Sequence, residues 1–135
     1  MPPLTLWTLR LSLVYLALGF SAGALMLINK ALMLSPWLFY ATAMHRHLLI
    51  YGWTLHVIVG VAHWILPTFG DRTNHGREVF AIASIVQLSA ATLAGCLSAW
   101  PAAWPWLDTL AAALAASGVM CFAIHLWPRI KSFGR

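Results

Sequence analysis

Two histidines with one arginine between them, His45-Arg46-His47, open an apolar segment that continues Leu48-Leu49-Ile50-Tyr51-Gly52-Trp53. Imidazole is the commonest metal ligand and also an acid or base near neutral pH. The pair is therefore a surface cluster, a single metal chelate, or two ligands aimed at different places. An α-helix turns by about 100° per residue, so rings at 45 and 47 lie roughly 200° apart. On one continuous helix they cannot grip one ion together, but they can serve two cavities on opposite sides.

The next histidines obey a different spacing. His56 follows His45 by 11 residues and His63 follows His56 by seven. Both steps fall within about 20° of whole turns, which predicts a single stripe of His45, His56 and His63, with Gly52 on it. A glycine there lets a flat macrocycle or another helix come close. At a rise of about 1.5 Å per residue, His45 and His63 are roughly 27 Å apart and cannot share a metal. His56, His63 and His125 are secondary candidates for metal ligation, because a histidine within a membrane helix is a functional candidate by default. Each also has a plainer role: His56 bonding to a neighbouring hydroxyl or carbonyl, His63 and His125 reaching water or headgroups at a span end. His75, in a polar turn, is expected to be solvated.

The elements that carry these residues follow from composition. The chain is 61% hydrophobic and 8% charged, with a mean hydropathy of +0.81, far too little charge to cover a soluble domain of 135 residues. Four uncharged stretches, about 11–29, 47–69, 79–100 and 107–128, approach or exceed the roughly 20 residues that a helix needs to cross hydrocarbon. Backbone polar groups in lipid must be satisfied within the segment, so the expected fold class is all-α, an integral-membrane four-helix bundle forming one domain, 1–135. Arg10 and Ser21-Ala22-Gly23-Ala24 give the first stretch some likeness to a signal peptide, but it is long for one and is read as a retained helix. The 30–45 link holds Ser35-Pro36 and is expected at the outer surface as a short helix or turn. Asp71, Arg72, Asn74 and Gly76 make the turn between spans two and three, and Pro101 and Pro105 the turn before span four.

Arg10, Arg72, Arg77, Arg129, Lys131 and Arg135 fall on one side of such a bundle, and only Lys30 and Arg46 on the other. The positive-inside rule then places both termini in the cytoplasm, and the tryptophans divide into two interfacial belts. Net charge +5 is accounted for by this topology. There is no phosphate-binding glycine loop and no basic patch interleaved with aromatics, so nucleic acid is not an expected partner. Cys96 and Cys121 fall within spans as small core residues, and the absence of C-x-x-C-H argues against covalent haem attachment.

The run from His45 to Trp53, followed by Gly60 and Trp64-x-x-Pro67, resembles the second helix of the catalytic subunit of haem-copper oxidases and nitric oxide reductases. It is closer to small four-helix bacterial proteins similar to oxidase subunit I, which carry H-A-H-x-x-x-x-G-W. The likeness covers about 25 residues. It implies that the chain corresponds to one four-helix arc of the twelve-helix oxidase subunit, assembling as a homo-oligomer, with a trimer favoured over a dimer. In that picture His45 and His47 reach neighbouring pores of a bacterial inner membrane protein, each pore holding a non-covalent b-type haem ligated by two subunits. Arg46 would pair with propionates or serve only as a topology and headgroup cation, Trp53 and Tyr51 would flank the macrocycle, and Gly52 would let it approach. Bis-histidine iron has no open position, so its task is electron transfer, with quinol or a redox protein at the outer face as partner. Copper is not expected, because no H-P-E-V-Y-like motif and no histidine trio is present, and no carboxylate lies mid-membrane to relay protons. An electron-transfer protein is thus expected rather than a catalytic oxidase. The alternatives are a haem or nitric oxide sensor, carrier or oxidase assembly factor, if only one histidine ligates, and a structural subunit whose histidines pack.

Overall fold

The computed structural model describes residues 1–69, 74–100 and 102–130, and among these it is helical without strands. Helix α1 spans Pro3–Leu32. A short 3₁₀ turn, Pro36–Tyr40, leads into α2, Ala41–His47, then a π-helical segment, Leu48–Leu55, and α3, His56–Ile65. These four pieces are stacked end to end as a second span, Pro36–Ile65. Helices α4, Glu78–Ser98, and α5, Trp106–Leu126, complete the set, with a 3₁₀ turn at Trp127–Arg129. All four are long and apolar enough to cross a membrane, compatible with a multi-pass protein.

The first span exceeds the expected 11–29 at both ends. Pro3 stands at the first helical position, where its missing N–H costs nothing. The other end closes on Met33 in the left-handed conformation, φ 49°, whose N–H donates to the Asn29 carbonyl. The Asn29 side chain accepts from Ser35 N–H at 2.8 Å and the Ser35 hydroxyl from Trp37 N–H, so the link, a short helical turn as expected, is tied to the end of α1. Asp71, Arg72, Pro101, Lys131 and Arg135 lie outside the described residues.

Packing is inverted relative to a soluble bundle. The buried face of α1 is Thr5, Thr8, Ser12, Tyr15, Gly19 and Ala22, at alternating steps of three and four, then Asn29 two turns on, while Leu13, Leu18, Leu25, Leu27, Trp7 and Phe20 point outward. Small and weakly polar residues let helix backbones approach, and large apolar ones face lipid. Thr8 and Ser12 spend their hydroxyls on the Leu4 and Leu9 carbonyls, each at 2.8 Å, so burial leaves neither unpaired. The same three-four spacing recurs in α4 (Ala81, Ser84, Leu88, Ala91, Gly95) and α5 (Ala111, Ala115, Gly118, Phe122), which form the tightest pair. Val59 of α3 joins Leu88, Ala91, Ala115 and Phe122 in the central core. Exposed tryptophans gather at both ends, Trp7, Trp64 and Trp127 at one and Trp37, Trp100, Trp104 and Trp106 at the other.

The π segment matters most for the site. Each π turn holds one residue more than an α turn, and one extra residue rotates everything after it by about 100°. Side chains follow the wider spacing: Thr54 Oγ1 donates to the Leu49 carbonyl and His56 Nδ1–H to the Tyr51 carbonyl, both five residues back at 2.9 Å. Gly52 lies within this segment against α1. A Cβ there would stand 2.7 Å from Tyr15 Cγ, so among the described residues a neighbouring helix explains the glycine without a macrocycle.

Candidate functional site

The histidines divide into three sites along the membrane normal. At one end, His45 and His47 leave α2 in different directions, as their separation on a regular helix requires. His45 lies against α1, where its Nδ1–H donates to the Gly19 carbonyl at 2.7 Å. That bond uses the ring's proton, and Nε2 keeps the lone pair. Gly23, one helical turn on, makes room for the ring, since a Cβ would sit 2.8 Å from His45 Cε1. His45 lines an apolar groove of about 520 Å³ with Phe20, Gly23, Leu27, Phe39 and the single cation Lys30.

His47 turns into the bundle and is buried, 4% exposed, between α4 and α5. Its Nε2 is 2.9 Å from Asp108 Oδ1. A carboxylate only accepts, so Nε2 carries the proton, and the 3.4 Å approach of Arg46 Nη2 to the same nitrogen is proximity and not a second bond. The other face of the ring presses on α4: a Cβ on Gly95 would stand 2.6 Å from His47 Nδ1. Arg46 itself is more than half exposed and sits 3.6 Å from Asp108. His47, Arg46, Asp108, Ile50 and Tyr51 line a second groove, of about 300 Å³, separate from that of His45. Trp53 is half-buried in the π segment. The two neighbouring histidines thus reach two separate cavities, but iron at His47 requires Asp108 to release Nε2.

Mid-membrane, His56 is fully buried and satisfied at both nitrogens. Nδ1–H donates to Tyr51, Nε2 accepts from the Ser89 hydroxyl at 3.1 Å, and the ring leans on Tyr15. This is the hydroxyl-bonded packing arrangement, and it leaves no lone pair for a metal. The predicted stripe holds only in part. His45, Gly52 and His56 all meet α1, the last two at Tyr15, but His56 also reaches α4 and His63 leaves that side to meet α5.

The opposite end holds a cluster that spacing did not suggest. His63 and His125 stack with centroids 5.2 Å apart, and His63 stacks on His75 at 4.8 Å. All three are buried, so His63 and His125 do not reach water as expected and His75 is not the solvated turn residue it resembles. Arg129, 1% exposed, closes the cluster from the far end of the chain. Its Nε donates to the Pro67 carbonyl at 2.9 Å, Nη2 to those of His63 and Leu66 at 2.9 and 2.7 Å, and Nη1 to His125 Nε2 at 3.1 Å. The last carbonyls of a helix have no partner within it and form the negative end of its dipole. Arg129 is thus a clamp on the end of α3, although its place in the sequence reads as an ordinary topology cation.

Asp108 and Arg129 are the two residues with larger roles than their sequence positions suggest. Each sits at a helix end where its charge has an ordinary explanation, and their partners lie 61 and 62 to 66 positions away. No family model matches the chain, and no curated protein or solved structure shows significant similarity to it.

Proposed function

We propose that the chain is a membrane haem protein of the electron-transfer kind, with His45 as an axial ligand of a non-covalent b-type haem in the groove between α1 and α2. The supporting observation is the state of His45: Nδ1–H is committed to the Gly19 carbonyl, and the lone-pair nitrogen belongs to a side chain lining an apolar groove. A histidine whose second nitrogen bonds a carbonyl is the usual form of a metal-ligating imidazole. Gly23 makes room where a larger residue would meet the ring, and Lys30 offers a cation for a carboxylate of the macrocycle. Such a haem, when bound, supplies a one-electron couple in an apolar setting. The chain's own contribution is the ligand, its orientation, and exclusion of water by Phe20, Leu27 and Phe39.

His45 and His47 serve different grooves, so a second imidazole on the same iron comes from another copy. His47 of a neighbouring chain is the candidate, with Arg46 and Asp108 beside it. This agrees with the resemblance of the His45–Trp53 run to the oxidase helix and with a homotrimeric ring in a bacterial inner membrane, termini in the cytoplasm, exchanging electrons with quinol or a redox protein. The second reading, haem or nitric oxide binding without turnover, is favoured by the His47–Asp108 bond, which leaves one ligand per groove and an open iron position.

Absorption spectra of the purified, haem-reconstituted protein test both. A six-coordinate low-spin haem lost in His45→Ala and converted to five-coordinate in His47→Ala supports the electron-transfer reading. A five-coordinate haem that binds nitric oxide and ignores His47→Ala selects the second. Normal haem in His45→Ala overturns both.

A further inference from the structure

At the end of the bundle remote from His45, the hydrogen-bond directions around His63 determine its tautomer. His125 Nδ1 lies 3.1 Å from the Arg77 carbonyl, and a carbonyl only accepts, so Nδ1 carries the His125 proton. Its Nε2 is then the acceptor, and Arg129 Nη1 at 3.1 Å and His63 Nδ1–H at 3.2 Å share its one lone pair. The proton of His63 is thereby placed on Nδ1, leaving Nε2 with a bare lone pair. That atom is buried and has no hydrogen-bond partner among the described residues, in a side chain only 1% exposed. A buried acceptor without a partner is costly to desolvate, and a bare imidazole nitrogen is the form that binds a metal.

Two further ligand-bearing side chains stand beside His63. One nitrogen of His75 and one oxygen of Glu78 lie, with one nitrogen of His63, within 4.8 Å of one another, and His75 Nδ1 is 3.9 Å from Glu78 Oε1. We propose that His63, His75 and Glu78 form a binding site for a divalent transition-metal ion of the zinc or ferrous class. Two neutral imidazoles and one carboxylate are a donor set suited to such ions and leave at least one coordination position open. With metal–ligand bonds of about 2.0–2.1 Å, ligand atoms around a tetrahedral ion are roughly 3.3 Å apart, so the widest separation in the trio closes by no more than about 1.5 Å. Glu78, half-exposed on the first turn of α4, moves through its side-chain torsions, and one of the stacked rings of His63 and His75 must turn so that both lone pairs converge.

The surroundings suit this role. His63 Nδ1–H bonds to His125, which is held in turn by the Arg77 carbonyl and Arg129, the outer support that orients a metal-bound imidazole. The guanidinium of Arg129 is directed at the α3 carbonyls and His125, and the helix dipole offsets its charge. An open pocket of about 670 Å³, lined by Met1, Pro2, Pro3, Trp64, His75 and Glu78, gives the ion and its remaining ligands a route from solvent. The site is independent of the haem groove, and either can exist without the other.

The test uses tag-free full-length protein in detergent, stripped by a chelator and titrated with Zn²⁺ against a chromophoric competitor, then with Co²⁺ to read its ligand-field spectrum. The expected result is one ion per chain with a tetrahedral or five-coordinate Co²⁺ spectrum. His75→Ala and Glu78→Gln should each weaken binding by about 100-fold or more, the upper range for disturbing a metal site, while His45→Ala leaves it unchanged. Unaltered far-UV circular dichroism in the two variants separates loss of ligand from loss of fold. Absence of binding by the wild-type chain, or wild-type affinity in both folded variants, overturns the proposal.

Discussion

Removing the charged head of Arg129 while keeping its apolar stem, as Arg129→Met does, isolates the clamp at the end of α3. The native side chain makes four hydrogen bonds, three to main-chain carbonyls of residues 63, 66 and 67 and one to His125. Hydrogen bonds between membrane helices average about 0.6 kcal/mol, and those to charged groups in water-soluble proteins reach about 1.5 kcal/mol or more. Four bonds therefore bracket the loss between roughly 2.5 and 6 kcal/mol, and relief of the buried charge pulls the value toward the lower half, about 3 kcal/mol. Arg129→Lys keeps a cation but not the planar fork, so it should recover less than half of that loss. The assay is reversible unfolding in mixed micelles of rising SDS fraction, followed by far-UV circular dichroism and tryptophan fluorescence. A double-mutant cycle with His125→Ala should give a coupling of about 0.6–1 kcal/mol for the direct bond. If Arg129→Met unfolds within about 1 kcal/mol of the wild type, the value of an ordinary surface cation, the clamp does not hold α3.

Other substitutions probe the remaining contacts. Gly95→Ala places a methyl 2.6 Å from His47 Nδ1 and should cost about 1–3 kcal/mol in the same unfolding assay, because the ring must move off α4 and strain its bond to Asp108. Gly52→Ala should behave similarly through Tyr15, whose Cγ would lie 2.7 Å away, and replacing Tyr15 by a smaller residue in that background should recover part of the loss. Ser89→Ala removes the donor to His56 Nε2 and should cost about 1 kcal/mol, with no change in metal or haem content. If both termini face the cytoplasm, carboxy-terminal fluorescent-protein fusions will glow and alkaline phosphatase fusions will be inactive; the opposite pattern inverts the topology.

Two properties of this chain are written locally. Composition and the lengths of the uncharged stretches give four helices long and apolar enough to cross a membrane, where hydrocarbon demands internal backbone pairing over a known thickness. The divergence of His45 and His47 is equally local, since about 100° per residue holds on any regular helix and the π segment begins only after His47. The direction of His56 and His63 is not local. It depends on wide turns at Leu48–Leu55, which the apolar pattern does not mark, and on what the rings then meet: Tyr15 and Ser89 for His56, His125 for His63. Nor could spacing pair His47 with Asp108, bury His75 over His63, or bring Arg129 onto the carbonyls of α3. Those contacts join residues on separate elements, and they arise from how closely the helices approach at Gly23, Gly52 and Gly95 and from which helix ends meet. Helical geometry dictates where a side chain leaves its own axis; the packing of several axes decides what it meets.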